Sequence, residues 1–138
     1  MGLAAEAMVS GCFAERQAAG SALGWGTAGS LGLRLTNGVG LVGVAGYYST
    51  SSSNSGPIRL AHVGGGVNFH TRGGTTTLAL AWAHADPSNG AGSATGMAVV
   101  LRYLYSLAAH VGLGIDTTLG SMNGEQFNTF GLGIAFTD

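Results

Sequence analysis

From Ala22 to Leu35 the chain alternates with a period of two. Leu23, Trp25, Thr27, Gly29, Leu31, Leu33 and Leu35 are interleaved with Ala22, Gly24, Gly26, Ala28, Ser30, Gly32 and Arg34. Such alternation puts the larger apolar side chains on one face of a sheet and the tiny or charged ones on the other. It recurs along the sequence. Met97, Val99, Leu101, Tyr103, Tyr105 and Leu107 oppose Ala98, Val100, Arg102, Leu104 and Ser106. Val111, Leu113, Ile115 and Thr117 oppose His110, Gly112, Gly114, Asp116 and Thr118. Phe130, Leu132, Ile134 and Phe136 oppose Gly131, Gly133 and Ala135, and Thr76 to Ala83 follows the same rule. The opening stretch, Gly2 to Ala14, alternates more weakly. Val39 to Ser49 and Ile58 to His70 change parity near Leu41-Val42 and His62-Val63, where a β-bulge would flip the side chains that follow and misplaced strands would look the same.

Composition decides which face meets water. Only 8% of the 138 residues are charged, and the chain has no Lys at all, against roughly a quarter charged in a typical soluble domain. The sequence is 46% hydrophobic with a formal net charge of −1. That excludes disorder driven by charge, and without a basic patch it excludes electrostatic nucleic-acid binding. No apolar run approaches the roughly 20 residues of a spanning helix. A closed barrel is the other structure that satisfies every backbone group in a bilayer, and segments of about 10 alternating residues are its signature.

Eight strands follow, in a single domain over residues 1–138. The expected links are Glu15 to Ser21, Thr36-Asn37-Gly38, Ser51 to Pro57, Thr71 to Gly74, Ala85 to Thr95, a tight turn near Ala108, and Gly120 to Gln126. Long and short links alternate, as in outer-membrane barrels with long outer loops and short periplasmic turns, which predicts periplasmic termini. The predicted fold is an all-β, eight-stranded antiparallel up-and-down transmembrane β-barrel.

The last strand carries a family resemblance. Thr129, Gly131, Ile134 and Phe136 stand at the places of the C-terminal insertion signal of outer-membrane barrels: a polar residue, a glycine two later, then two apolar residues, the last aromatic. In strand count the chain resembles the small outer membrane protein A-like barrels. From Leu101-Arg102-Tyr103 to Phe136 it also resembles the final hairpins of Gram-negative porins. The resemblance implies the bacterial outer membrane as location. It implies the lipid bilayer and the barrel-insertion machinery as partners, with a homo-oligomer or larger membrane assembly as a further option.

Residues 1–20 have no basic start, and Glu6 interrupts any apolar core, so they predict a mature chain with an added initiator Met1 rather than an export signal. Val9-Ser10-Gly11-Cys12 has the form of a lipoprotein cleavage box, but a small lumen-facing Cys12 is the preferred reading. Two glycine patterns, Gly24 to Gly29 and Gly38 to Gly43, match a dinucleotide fingerprint in spacing. Neither opens a helix, so no cofactor is expected. His84, Asp86 and Ser88 alternate where the fifth strand meets the longest loop, but spacing alone does not make a base and a nucleophile. No enzyme activity is expected. His62, His70, His84 and His110 are scattered without ligand spacing, so no metal site is expected either.

The informative charges lie on the small-residue face. Glu6, Arg34, Arg102 and Asp116 fall there, and Arg59 and His110 are expected to join them. Ionisable groups inside a spanning structure are costly unless paired or wet. Arg102 with Asp116 and Glu6 with Arg34 are therefore expected as cross-strand pairs. Because most inward positions are Gly, Ala or Ser, a narrow water-containing lumen is expected. The function this predicts is a structural membrane protein or small passive pore with a Gly/Ala-lined lumen. The alternatives are a soluble barrel that turns the bulky face inward around an apolar ligand, and a barrel subunit of a larger assembly.

Overall fold

In a computed structural model, which describes residues 2–16, 20–50, 58–86 and 93–138, the alternation becomes eight strands. They are β1 (Gly2–Arg16), β2 (Gly20–Arg34), β3 (Val39–Thr50), β4 (Ile58–His70), β5 (Gly74–Ala85), β6 (Ala94–Ser106), β7 (Val111–Met122) and β8 (Glu125–Thr137). Each pairs antiparallel with the next, and β8 pairs with β1 to close the barrel. Closure leaves no sheet edge unpaired, which is what a bilayer requires of strands.

The register fixes the shape. Following directly opposed residues around the wall from Glu6, the circuit passes Ser30, Val44, Gly64, Ala81, Ala98, Gly120 and Phe127 and re-enters β1 at Arg16. That stagger means strands tilted steeply to the barrel axis. One end of the barrel carries both termini and is called here the terminal end; the other is the far end.

The bulky face points outward. Leu31, Leu80, Leu101, Ile115, Leu132 and Ile134 are exposed, whereas Ala79, Ala81, Ala83, Ala98 and Ala135 are buried inside. The rival soluble barrel needs the reverse orientation and is overturned. β3 and β4 contain no bulge: both keep one register with each other throughout, and inward and outward positions alternate without a break. The apparent parity changes arise because the inward face is itself apolar here, with Val42, Val44, Ile58 and Leu60 inside. Gly43 and Gly65 outside complete the disguise.

Links 35–38, 71–73 and 107–110 are short turns at the terminal end; the expected third link, Ser51 to Pro57, lies outside the described residues. The seventh link differs. Instead of spanning Gly120 to Gln126, it is the pair Asn123-Gly124, with φ of 52° and 79°. Two successive left-handed residues form the type I′ turn that matches strand twist, and Asn-Gly is its preferred pair. The first link is also shorter than expected, because β1 runs to Arg16 and β2 begins at Gly20.

Candidate functional site: the plugged interior and the apolar outer wall

The interior is organised by a few large side chains that reach into space left by small ones. Tyr48 projects from β3 across the barrel, and its hydroxyl donates a 2.7 Å hydrogen bond to Asp116 Oδ2 on β7. Asp116 faces Arg102 directly across the β6–β7 ladder, with Nη2 and Oδ2 3.7 Å apart. Tyr48 also stacks on His62 of β4, with ring centroids 5.8 Å apart and planes 22° from parallel. Tyr48, Arg102 and Asp116 are each 1% exposed.

Inward glycines are the seats for these groups. A Cβ on Gly26 would lie 2.5 Å from Tyr48 Cδ1, and one on Gly46 would overlap the His62 ring. One on Gly114 would lie 2.5 Å from Met8 Sδ, and one on Gly120 2.6 Å from Phe127 Cε1. The small inward residues thus serve complementarity. Towards the far end, Ile58, Leu60, Met122 and Phe127 pack with Cys12 and Ala14 into one apolar cluster. Towards the terminal end, Met8, Leu104 and Ala135 form another.

The polar layer is desolvated and only partly satisfied. Arg102 Nε and Nη2, Asp116 Oδ1, His62 Nε2, Thr118 Oγ1 and Thr129 Oγ1 are buried without a hydrogen-bond partner among the described residues. At 3.7 Å the Arg102–Asp116 contact is an ion pair rather than a hydrogen bond. A buried pair of this kind contributes little net stability, but it is costly to break one partner at a time. Its best physical use is to hold register. A slip of either strand by one residue would turn its charge towards the outer face and leave the other unpaired inside.

The other charges are arranged differently from the sequence expectation. Glu6 and Arg34 both face inward at the terminal mouth, but the register sets Ser30 opposite Glu6 and Gly2 opposite Arg34. The Ser30 hydroxyl donates to Glu6 Oε2 at 3.0 Å, so the direct cross-strand partner is a serine. Arg59 is not a lumen charge. With no bulge in β4 it has outward parity and is exposed at the far end, opposite Ser49. His110 is not one either. It precedes β7 in an exposed turn, where Nδ1 lies 3.1 Å from the Thr137 carbonyl.

Of the residues resembling an insertion signal, Thr129 and Gly131 face inward and are buried, while Ile134 and Phe136 face outward. His84 and Asp86 form a 3.4 Å contact at the far rim, roughly half exposed; Ser88 lies outside the described residues. Cys12 is buried inside the wall. Both glycine patterns lie along strands or a turn, with no helix to follow them.

Sequence reasoning missed Tyr48 and His62 as interior residues. Their signal was present, since Tyr48 shares parity with Val42 and Val44, but it was hidden by the apolar interior of β3.

The outer wall completes the picture. Outward Phe69, Tyr103, Tyr105 and Phe136 ring the terminal end, and Trp25, Tyr47, Trp82 and Phe130 ring the far end. Trp25 and Tyr47 touch, with centroids 5.9 Å apart. The outward ionisable side chains described on the strands, Glu15, Arg59 and His84, all lie within two residues of a far-end strand terminus.

An up-and-down barrel of eight strands, apolar outside and carrying its central ion pair within, has the fold of the small outer-membrane barrels. Among solved structures, Ail, the attachment invasion locus protein of Yersinia pestis, is 12% identical, with a TM-score of 0.71 over 99% of this chain and 97% of that one. Neisserial surface protein A is 18% identical, with a TM-score of 0.68 over 99% and 96%. The N-terminal barrel domain of OprF from Pseudomonas aeruginosa is 17% identical, with a TM-score of 0.59 over 96% and 97%. No family model and no curated protein sequence matches the chain.

Proposed function

We propose that this chain is an integral protein of the bacterial outer membrane, working as a structural barrel with an occluded interior rather than as an open passive pore. The observation that carries this is the layer of Tyr48, Arg102 and Asp116, which joins opposite walls and is almost wholly excluded from solvent. An eight-stranded barrel is just wide enough for side chains to fill it. The lipid bilayer is the partner the wall fits: an apolar band between two aromatic girdles, with its outward charges at one rim. The end bearing links 51–57 and 86–93 faces outward and the termini face the periplasm. The residues at Thr129, Gly131, Ile134 and Phe136 are then what the insertion machinery engages.

Refolding into detergent followed by gel electrophoresis tests the barrel. Folded and boiled samples should migrate differently, and monodisperse protein without detergent overturns the membrane reading. Planar-bilayer recording tests the plug. The wild-type protein should give no regular conductance steps at high salt; steady steps would establish the passive pore instead.

A further inference from the structure

The terminal mouth is a bowl rather than the vestibule of a channel. A cavity of about 620 Å³ opens there, lined from nearly every strand, including Glu6, Arg34, His70, Arg72, Leu104 and Asp138. Leu104, part of its lining, packs with Met8 and Ala135, and further in the solvent-excluded Tyr48, Arg102 and Asp116 bridge the barrel. A solute entering this space meets a dead end, which suits retention better than passage. The size falls within the usual range of small-ligand cavities, about 300–1,000 Å³.

The charges around the bowl are sorted by position. Glu6 on β1 and Asp138, just beyond β8, place acids where the barrel closes. Arg34 at the end of β2 and Arg72 in the turn after β4 place guanidiniums along the next arc of wall, with the His70 imidazole between them. The polar side chains between them are held: Ser30 donates to Glu6 at 3.0 Å, and His70 Nδ1 lies 3.1 Å from Thr75 Oγ1. Asp138 is tied to β1 by its backbone N–H, which donates to the Ala5 carbonyl at 3.0 Å.

We propose that this bowl binds a small zwitterion, a short peptide with free ends, its carboxylate on the Arg34–Arg72 arc and its ammonium towards Glu6 and Asp138. A simple anion would meet the acids as well as the guanidiniums, and a simple cation the reverse. A molecule carrying both charges is complementary to both arcs at once. Because these groups are partly solvated, each contact contributes modestly, and binding is weak and screened by salt.

Trialanine with free termini is the probe, titrated into the isotope-labelled, detergent-refolded protein and followed by amide chemical shifts. Saturable shifts are expected at Ser30, His70 and Thr75. Blocking either end, as N-acetyl-trialanine or trialanine amide, should weaken binding about fivefold, the upper range of an exposed ion pair. Arg34→Gln should lose the preference for the free carboxylate while keeping that for the free amine. Blocked and free peptides that bind equally, or an absence of saturable shifts in protein that still shows heat-modifiable mobility, overturn the proposal. Should Arg34→Gln fail to fold, the end-blocked peptides on the wild-type protein still decide it. A failure here leaves the outer-membrane reading intact, since that rests on the wall.

Discussion

Tyr48 shows how one side chain can set the meaning of many small ones. Its phenol crosses the barrel to Asp116, and the absence of a Cβ at Gly26 makes room for its ring. Gly26→Ala should therefore destabilise the folded barrel by about 1–3 kcal/mol through overpacking. Urea titration in detergent micelles measures this, and an unchanged midpoint would show that the ring can step aside. The ion pair gives a second residue-level expectation. Arg102→Met or Asp116→Leu alone strands its partner in a dry interior and should cost about 3–5 kcal/mol. The double variant should recover much of that loss, because an apolar pair has no charge to desolvate. Additive losses in the same titration would mean that the two groups are not energetically coupled. At this scale the sequence was partly legible. Arg102 and Asp116 could be paired from strand adjacency alone, since each sits at inward parity on consecutive strands. Tyr48 could not be matched to Asp116, because that contact crosses the lumen and no local periodicity encodes it, and the parity of β3 and β4 hid its stacking on the adjacent-strand His62.

Strands read well where their two faces differ and badly where they do not. β2, β6, β7 and β8 contrast bulky apolar with small residues, and their inward sets follow directly. β3 and β4 are apolar on both faces in places and carry glycines on both, so the contrast disappears and a bulge was the natural inference. That error moved Arg59 to the wrong side. The outward placement has a measurable consequence: Arg59→Leu at the rim should change stability little, whereas Leu80→Arg should cost about 2–4 kcal/mol, because Leu80 is 63% exposed in the middle of the apolar band. Refolding titrations in lipid vesicles compare the two, and similar losses would argue against a bilayer around this wall. The final hairpin offers a turn-level test. Gly124→Ala, at a φ of 79°, should cost about 1–2 kcal/mol, since an L side chain in the left-handed region meets the following carbonyl. The Asn123-Gly124 signal was visible in the sequence but was absorbed into a longer expected loop.

At the scale of the whole molecule, the pairing of β1 with β8 makes the wall a closed surface. Among the described residues it is the one pairing between strands that are not consecutive, so it brings together residues from the two ends of the chain. Closure also sorts the aromatics into girdles, with Trp25 and Trp82 both outward in the far-end ring. In vesicles, acyl chains brominated near the headgroup should quench their fluorescence strongly, while a water-soluble quencher should have little access. The reverse pattern would show that this surface faces water or another protein. Alternation of period two and the shortage of charge together determined an eight-stranded wall with an apolar outer face. Those are properties of neighbours along the chain, where backbone geometry alone fixes which side a residue takes. What fills the wall was decided only by tertiary structure. The diameter and stagger of the closed barrel determine which inward side chains from opposite strands can meet, and they turn a run of small residues into a fitted interior with a closed bowl at one mouth.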